Sequence, residues 1–201
     1  YKPYLYELLE TIKVKYGVVY SNLKVDITNI IPEHRGLGSK TQLLLSLARG
    51  LLLLIKKELS ARNLACLVSR GGTSGIGYTA FSKGGFVIDL GHSFGANKQK
   101  QTFLPSSASA APPALVLNNF KVPHNWHVLL ILPAVKQGAN KDAEVNIFQK
   151  YCPLPIQEVQ IIAHTVLMKV LPSIIEGDLS CLADALSIIN NHGFKKIEIS
   201  L

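Results

Sequence analysis

The segment from residue 23 to residue 59 constrains the fold more than any other part of the chain. Residues 23–30, LKVDITNI, alternate apolar and polar side chains, which predicts a half-buried strand. A glycine-rich turn follows, PEHRGLGSKTQ at 32–42, and then a stretch at 41–59 that is apolar on nearly every side. Such a stretch predicts a deeply buried helix. Strand, glycine turn and buried helix in that order aim the helix's first N–H groups at whatever lies over the turn. Glycine lets the backbone come close to it. The arrangement is a cradle for an anion, and phosphate is the commonest guest.

Lys40-Thr41 after Gly38-Ser39 invites comparison with a Walker A loop, G-x-x-x-x-G-K-[ST]. Ser39 stands where that loop needs the glycine before the lysine, and His34 where it needs the first glycine. The chain therefore lacks a P-loop. The candidate anion contacts of this turn are Arg35, Gly36, Leu37, Gly38, Ser39, Lys40 and Thr41, with Glu33 close by.

A second glycine-rich turn, SRGGTSGIG, lies at 69–77 and a buried strand, GGFVIDLGH, at 84–92. Helices are predicted over 4–15, ended by Gly17, and over 62–68, 78–83, 155–170 and 179–190. Further strands are predicted at 114–117 and 126–132, and a polar, small-residue loop at 96–109 that is a candidate for mobility. The mixture is α+β, with a domain boundary expected near 119–125 that divides the chain into 1–120 and 121–201.

Composition excludes some classes of function. Hydrophobic residues make up 48% of the 201 and charged residues 17%, which is globular rather than disordered. The net charge of +8 favours anionic partners, but the basic residues are scattered over 56–57, 98–100 and 195–196 without the dense run of a nucleic-acid tail. Nucleic acid is therefore not the expected partner, and the 98–100 basic stretch reads as a solvated loop. Three widely spaced cysteines, Cys66, Cys152 and Cys181, argue against a disulfide framework and fit a reducing cytoplasm. Cys152 reads as a structural thiol. The most apolar segment, 43–55, is broken by Arg49 and Gly50 and is shorter than the roughly 20 residues of a membrane span. No membrane partner is expected. The first residues do not resemble a secretory signal, and without an initiator Met the start of the protein is expected upstream.

Around the second turn, Arg70, Thr73, Ser74, Gly75 and Lys83 are candidates to hold a phosphate or a carboxylate. Asp89 and His92, at the end of the 84–92 strand, are candidates for chemistry at the reacting centre. Ser106 and Ser107 can close over a substrate. His124-x-x-His127 has a metal-like spacing, but in a strand its two imidazoles fall on opposite faces.

Pro32, Gly36, Leu37, Gly38 and Ser39 match P-x-x-x-G-L-G-S-S, so the first turn resembles the ATP-phosphate loop of the GHMP kinase superfamily. Its kinases often carry S-G-x-D, followed eight residues later by G-G. Here Ser74-Gly75-Ile76-Gly77 leads to Gly84-Gly85 at that spacing. The kinase aspartate falls on Gly77, which has no side chain to take a proton. Four longer stretches narrow the resemblance: RGGTSGIGYTAFSKGGFVIDLGH (70–92), FLPSSASAAPPALV (103–116), EVNIFQKYCPLP (144–155) and GFKKIEISL (193–201). With IPEHRGLGSKTQ they resemble the beta-ribofuranosylaminobenzene 5'-phosphate synthase family of methanopterin biosynthesis.

That resemblance implies a two-domain GHMP-kinase-like fold, with an N-terminal part like domain 2 of ribosomal protein S5 and a ferredoxin-like α/β C-terminal part. Both are expected to be incomplete, lacking an N-terminal strand segment and a C-terminal glycine/serine-rich motif. It implies an archaeal, cytoplasmic homodimer that condenses phosphoribosyl diphosphate with p-aminobenzoate or a related aromatic carboxylate, releasing carbon dioxide and diphosphate. Magnesium is the implied cofactor, with Ser39 and Asp89 as its ligands. Lys40, Asp89 and His92 carry the implied catalytic roles. Two rival functions remain open at this point: an ATP-dependent small-molecule kinase with its base elsewhere, and a non-catalytic nucleotide- or RNA-binding module.

Overall fold

The computed structural model describes every residue except 1, 34, 105–108, 134–140 and 201, and no side chain of 141–144. Four helices build the first core. In α1 (Lys2–Tyr16), Leu8 and Ile12 are four residues apart and so point to one side, where both are buried. Gly17 ends the helix at φ 68°. Helix α2 (Ser39–Leu54) buries Leu44, Leu45, Ala48, Leu51 and Leu52, a helical stripe. Leu64, Ala65 and Leu67 of α3 (Ala61–Leu67) and Tyr78 of α4 (Ile76–Lys83) close the cluster.

Helix α2 departs from expectation in two ways. It ends at Leu54 rather than at residue 59, because Lys56 turns to φ 54°. Nor is it buried all round: Leu53 and Leu54 are 49% and 66% exposed. An apolar sequence permits burial on every side, but only the face that meets α1, α3 and α4 achieves it.

Strands β1 (Phe86–Gly91) and β2 (Leu115–Phe120) form a two-stranded antiparallel sheet. Its register runs from Phe86 opposite Phe120 to Ile88 opposite Asn118, then jumps so that Asp89 faces Val116. The jump skips Leu117, and a bulge of this kind re-aims the side chains around it. The irregularity sits beside Asp89, whose role is described below.

Neither 23–30 nor 126–132 is a strand. Both lie outside regular structure, and Val128, Leu129, Leu130 and Ile131 are 80%, 84%, 60% and 79% exposed. Alternating or apolar side chains set the preference for an extended chain. A strand also needs a neighbour's N–H and C=O groups, and among the described residues none pairs with these segments.

After Phe120 the described regular structure is helical: α5 (Lys141–Tyr151), α6 (Ile156–Thr165), α7 (Leu171–Glu176), α8 (Leu179–Asn190) and α9 (Gly193–Ser200). A π-helical turn, Val166–Val170, joins α6 to α7, and the Leu171 amide reaches back to the Val166 carbonyl. Pro172 explains it, since its ring lacks an N–H and crowds the carbonyl four residues earlier. The continuous stretch Ile156–Glu176 is long and apolar enough to cross a membrane by length and composition. One side of it, Val170 and Ile174, is buried against Leu182, Ala185, Phe86, Phe120 and Trp126. A single stretch that passes the length test is weak evidence of a membrane, because core helices pass it too. This second cluster joins residues on both sides of the expected 119–125 boundary.

Leu45 is fully buried at the centre of the first cluster. Leu45→Ala should lower unfolding stability by about 3 kcal/mol, read as a shift of the urea midpoint. Leu54→Ala, on the exposed side, should change it by less than about 0.5 kcal/mol.

Candidate functional site

The first turn reaches α2 through two left-handed glycines, Gly36 at φ 73° and Gly38 at φ 66°. Gly38 is the N-cap, and no side chain caps the helix. A Cβ at Gly36 or Gly38 would meet nothing within 4 Å, so the outer side of the turn is open. The first N–H groups of α2, with the positive end of its dipole, therefore face an uncrowded space. Ser39, the first helical residue, is buried at 7% exposure. Lys40 does not lie over the turn: its ammonium sits 4.4 Å from the centre of the Tyr4 ring of α1.

The start of α4 meets the start of α2. A Cβ on Gly77 would stand 3.1 Å from the Thr41 methyl, and Gln42 Nε2 donates to the Gly77 carbonyl at 3.0 Å. Arg70 Nε donates to Thr41 Oγ1 at 3.0 Å. Two helix N-termini and a guanidinium thus gather at one place, which concentrates positive partial charge there. Gly77, onto which the resemblance would place a kinase's aspartate, lies directly against the start of α2 and carries only hydrogen.

Asp89 holds the second turn. Its Oδ2 accepts from Ser74 Oγ at 2.6 Å and from the Gly75 amide at 3.0 Å, while Oδ1 accepts from the Gly91 amide at 3.0 Å. Ser74 Oγ also accepts from the Ile76 amide. The carboxylate therefore fixes the approach to α4, where two of its bonds to backbone N–H groups are charge-assisted.

The other side of this turn is anchored by Lys100. Its Nζ donates to the Gly72 carbonyl at 3.1 Å, the Leu104 carbonyl at 3.2 Å and Thr73 Oγ1 at 3.3 Å. Thr73 Oγ1 donates to the Leu104 carbonyl, and Ser109 Oγ to the Gly72 carbonyl at 2.7 Å. Gly72 has to be glycine for this packing, because a Cβ would press within 3.0 Å of Ser109 and Ala111. Burial pulls the Lys100 ammonium below the usual lysine range, and Cys152 opposes that weakly. Burial likewise pushes the Cys152 thiol up, with Lys100 acting in the opposite direction.

The sequence-based candidates thus divide. Gly36, Leu37, Gly38, Ser39 and Thr41, followed by Arg70, Ser74 and Gly75, converge on the two helix starts. Thr73 is tied to Leu104 instead. His92 Nε2 donates to the Pro112 carbonyl at 2.6 Å. Lys83 lies in the last turn of α4, about 9 Å along the axis from Gly77, and lines an open hollow with Thr79, Ser82, Asn118 and Asn119. Ser106 and Ser107 lie outside the described residues. Lys100 and Gln42 were missed. Lys100 does not belong to a solvated loop, but its neighbours Lys98 and Gln99 are exposed and the local composition gives no signal of its burial. Gln42 stands one turn into a helix, where nothing local announces a long-range bond.

Among the described residues no three metal-ligating side chains cluster. One acceptor is nonetheless open: Glu33 Oε1, in the first turn, is buried and has no hydrogen-bond partner among the described residues. Magnesium is commonly held by one or two carboxylates together with substrate phosphates, so a single carboxylate is enough to fit it.

Residues 3–85 match the GHMP kinases N terminal domain. Over 191 residues, 94% of this chain and 57% of the relative, the sequence is 43% identical to the beta-ribofuranosylphenol 5'-phosphate synthase of Methanocaldococcus jannaschii. Proteins of the same name from Methanothermobacter thermautotrophicus and Archaeoglobus fulgidus are each 43% identical, over 87% and 88% of this chain and 52% and 55% of their own. The chain spans about half the length of the curated relatives it matches. The matched region contains both glycine turns and the helix starts they feed, and the chain belongs to the GHMP-kinase superfamily as a close relative of the archaeal beta-ribofuranosylphenol 5'-phosphate synthases.

Proposed function

We propose that the protein containing this chain condenses phosphoribosyl diphosphate with a 4-substituted benzoate to give a ribofuranosyl-arene 5'-phosphate. The observation that carries the proposal is the meeting of α2 and α4 at a phosphate turn with Gly77 in the kinase-base position. A kinase must remove a proton from its acceptor hydroxyl. In this condensation the attacking atom is a ring carbon, so no attacking hydroxyl has to lose its proton. The ring carbon bearing the carboxylate attacks the anomeric carbon, and the bond from that carbon to the diphosphate breaks. The carboxylate then leaves as carbon dioxide, and its bonding pair restores the aromatic ring.

In this mechanism the first N–H groups of α2, with Gly36, Leu37, Gly38 and Ser39, receive the charge that develops on the leaving diphosphate. Arg35 and Arg70 add positive charge, and Lys40, held against the Tyr4 ring, adds to it only from a distance. Arg70 and Thr41 are placed to hold a phosphate oxygen, and Lys83 is left for a more distant carboxylate or for solvent. Asp89 acts through Ser74 and Gly75 by fixing the second turn, and His92 through the Pro112 carbonyl. Magnesium, when bound, would neutralise diphosphate charge, with Glu33 and the Ser39 hydroxyl as its protein ligands. Asp89 fits that role less well, because both its oxygens already accept bonds.

The relatives' name points to a phenol product, which implies 4-hydroxybenzoate as the acid; an amino-substituted ring would come from p-aminobenzoate. A cytoplasmic homodimer with the two-domain GHMP arrangement, divided near 119–125, completes the proposal.

The deciding assay uses the full-length protein, phosphoribosyl diphosphate, magnesium and each benzoate labelled at its carboxyl carbon. Labelled carbon dioxide is expected only when all components are present. Diphosphate release at an equal rate without the aromatic acid would refute the synthase activity, and ATP turnover with a sugar or alcohol would favour a kinase. Glu33→Gln should weaken magnesium-dependent binding of diphosphate at least about tenfold, the cost of losing even an outer-shell partner. Calorimetry with and without a chelator would show it. Asp89→Asn sets an NH2 group against existing donors. It should lower unfolding stability by about 1–3 kcal/mol, measured by urea melts, and lower turnover with it.

A further inference from the structure

Lys100 is half-buried, and its three N–H donors meet three acceptors: the Gly72 carbonyl, the Leu104 carbonyl and Thr73 Oγ1. A lysine ammonium has three donors and no more, so Lys100 has none to spare for a ligand. No carboxylate pairs with it among the described residues; the ion pairs there are Lys13 with Glu10, Lys24 with Asp26, and Lys195 with Glu198. All three of those are exposed. Lys100 is thus a cation drawn partly out of water, bonded only to neutral groups.

Such a charge is costly unless something compensates for it. The backbone that carries Lys100 is itself braced. Its amide donates to the Ser93 carbonyl, its carbonyl accepts from the Gly95 amide, and the Phe94 and Phe103 rings stack 4.2 Å apart beside it. The ammonium is therefore held in place behind Gly72 and Thr73, two residues before the Ser74-Gly75 step into α4.

We propose that Lys100 is a positioning residue for the anion site: it fixes the second glycine turn from behind and, with no carboxylate bonded to it among the described residues, adds positive charge on the flank opposite Asp89 without touching the ligand. The compensation it lacks in the free protein arrives with the anion. Charge placed in a partly desolvated position acts over several ångströms more strongly than the same charge at the surface. This role rests on the proposed diphosphate chemistry, but it concerns binding and can be tested without turnover.

The test is calorimetric titration of the full-length protein with inorganic diphosphate at several salt concentrations. Lys100→Met keeps the length of the side chain and removes its charge and donors. It should weaken diphosphate binding about tenfold and flatten the dependence on salt. A purely structural lysine would lower the melting temperature and leave the affinity of the folded protein, and its salt dependence, unchanged; that result would overturn the proposal. Lys100→Arg keeps the charge, is the safer variant for folding, and should bind within about threefold of wild type. A tenfold loss in Lys100→Arg would overturn the electrostatic role. If the wild-type protein fails to bind diphosphate, the synthase proposal falls and this inference falls with it. If the wild-type protein binds diphosphate and Lys100→Met binds it equally well with the same salt dependence, this inference alone is refuted.

Discussion

The site depends on one contact, the first turn of α4 laid against the first turn of α2. Gly77 allows it, because a larger residue would push on the Thr41 methyl, and Gln42 secures it through the Gly77 carbonyl. A helix N-terminus alone offers a few N–H groups and a fractional charge. Two of them meeting beside Arg70 make a place where an anion can be held from more than one side. The residue that lets the helices meet is also one with no side chain to take a proton.

The surrounding bonds serve that contact. Asp89 ties Ser74 and Gly75 to β1, at the point where the register with β2 is broken by a bulge. Lys100, Thr73 and Ser109 fix the other flank to the chain around Leu104. The second turn is held from two sides by a carboxylate and an ammonium that do not touch one another's partners. Its conformation is over-determined, as preorganised binding requires.

Much of this was legible in the sequence, and the reason differs from element to element. Helices α1, α3 and α8 follow from local periodicity, and β1 and β2 from apolar runs bounded by glycine and proline. The first glycine turn announces itself because glycine spacing has a local backbone meaning. Residues 23–30 and 126–132 misled, because a strand is a property of two segments and only one is visible in a pattern. Helix α2 was read as buried all round because composition cannot say which neighbours are present. Asp89 stands out in the sequence as a carboxylate in an apolar strand, but its bonds to Ser74 and Gly75, fifteen and fourteen positions away, have no local signature. Lys100 was hidden for the same reason.

The exposed run Val128–Ile131 has a practical consequence. It is uncharged, free of proline and apolar throughout, with its backbone unpaired among the described residues. Segments of that kind are templates for pairing between molecules. Handled by itself at high concentration, this chain carries its own nucleus for self-association. How long it stays monodisperse is then set by whatever covers that ribbon, and not by the strength of either hydrophobic cluster.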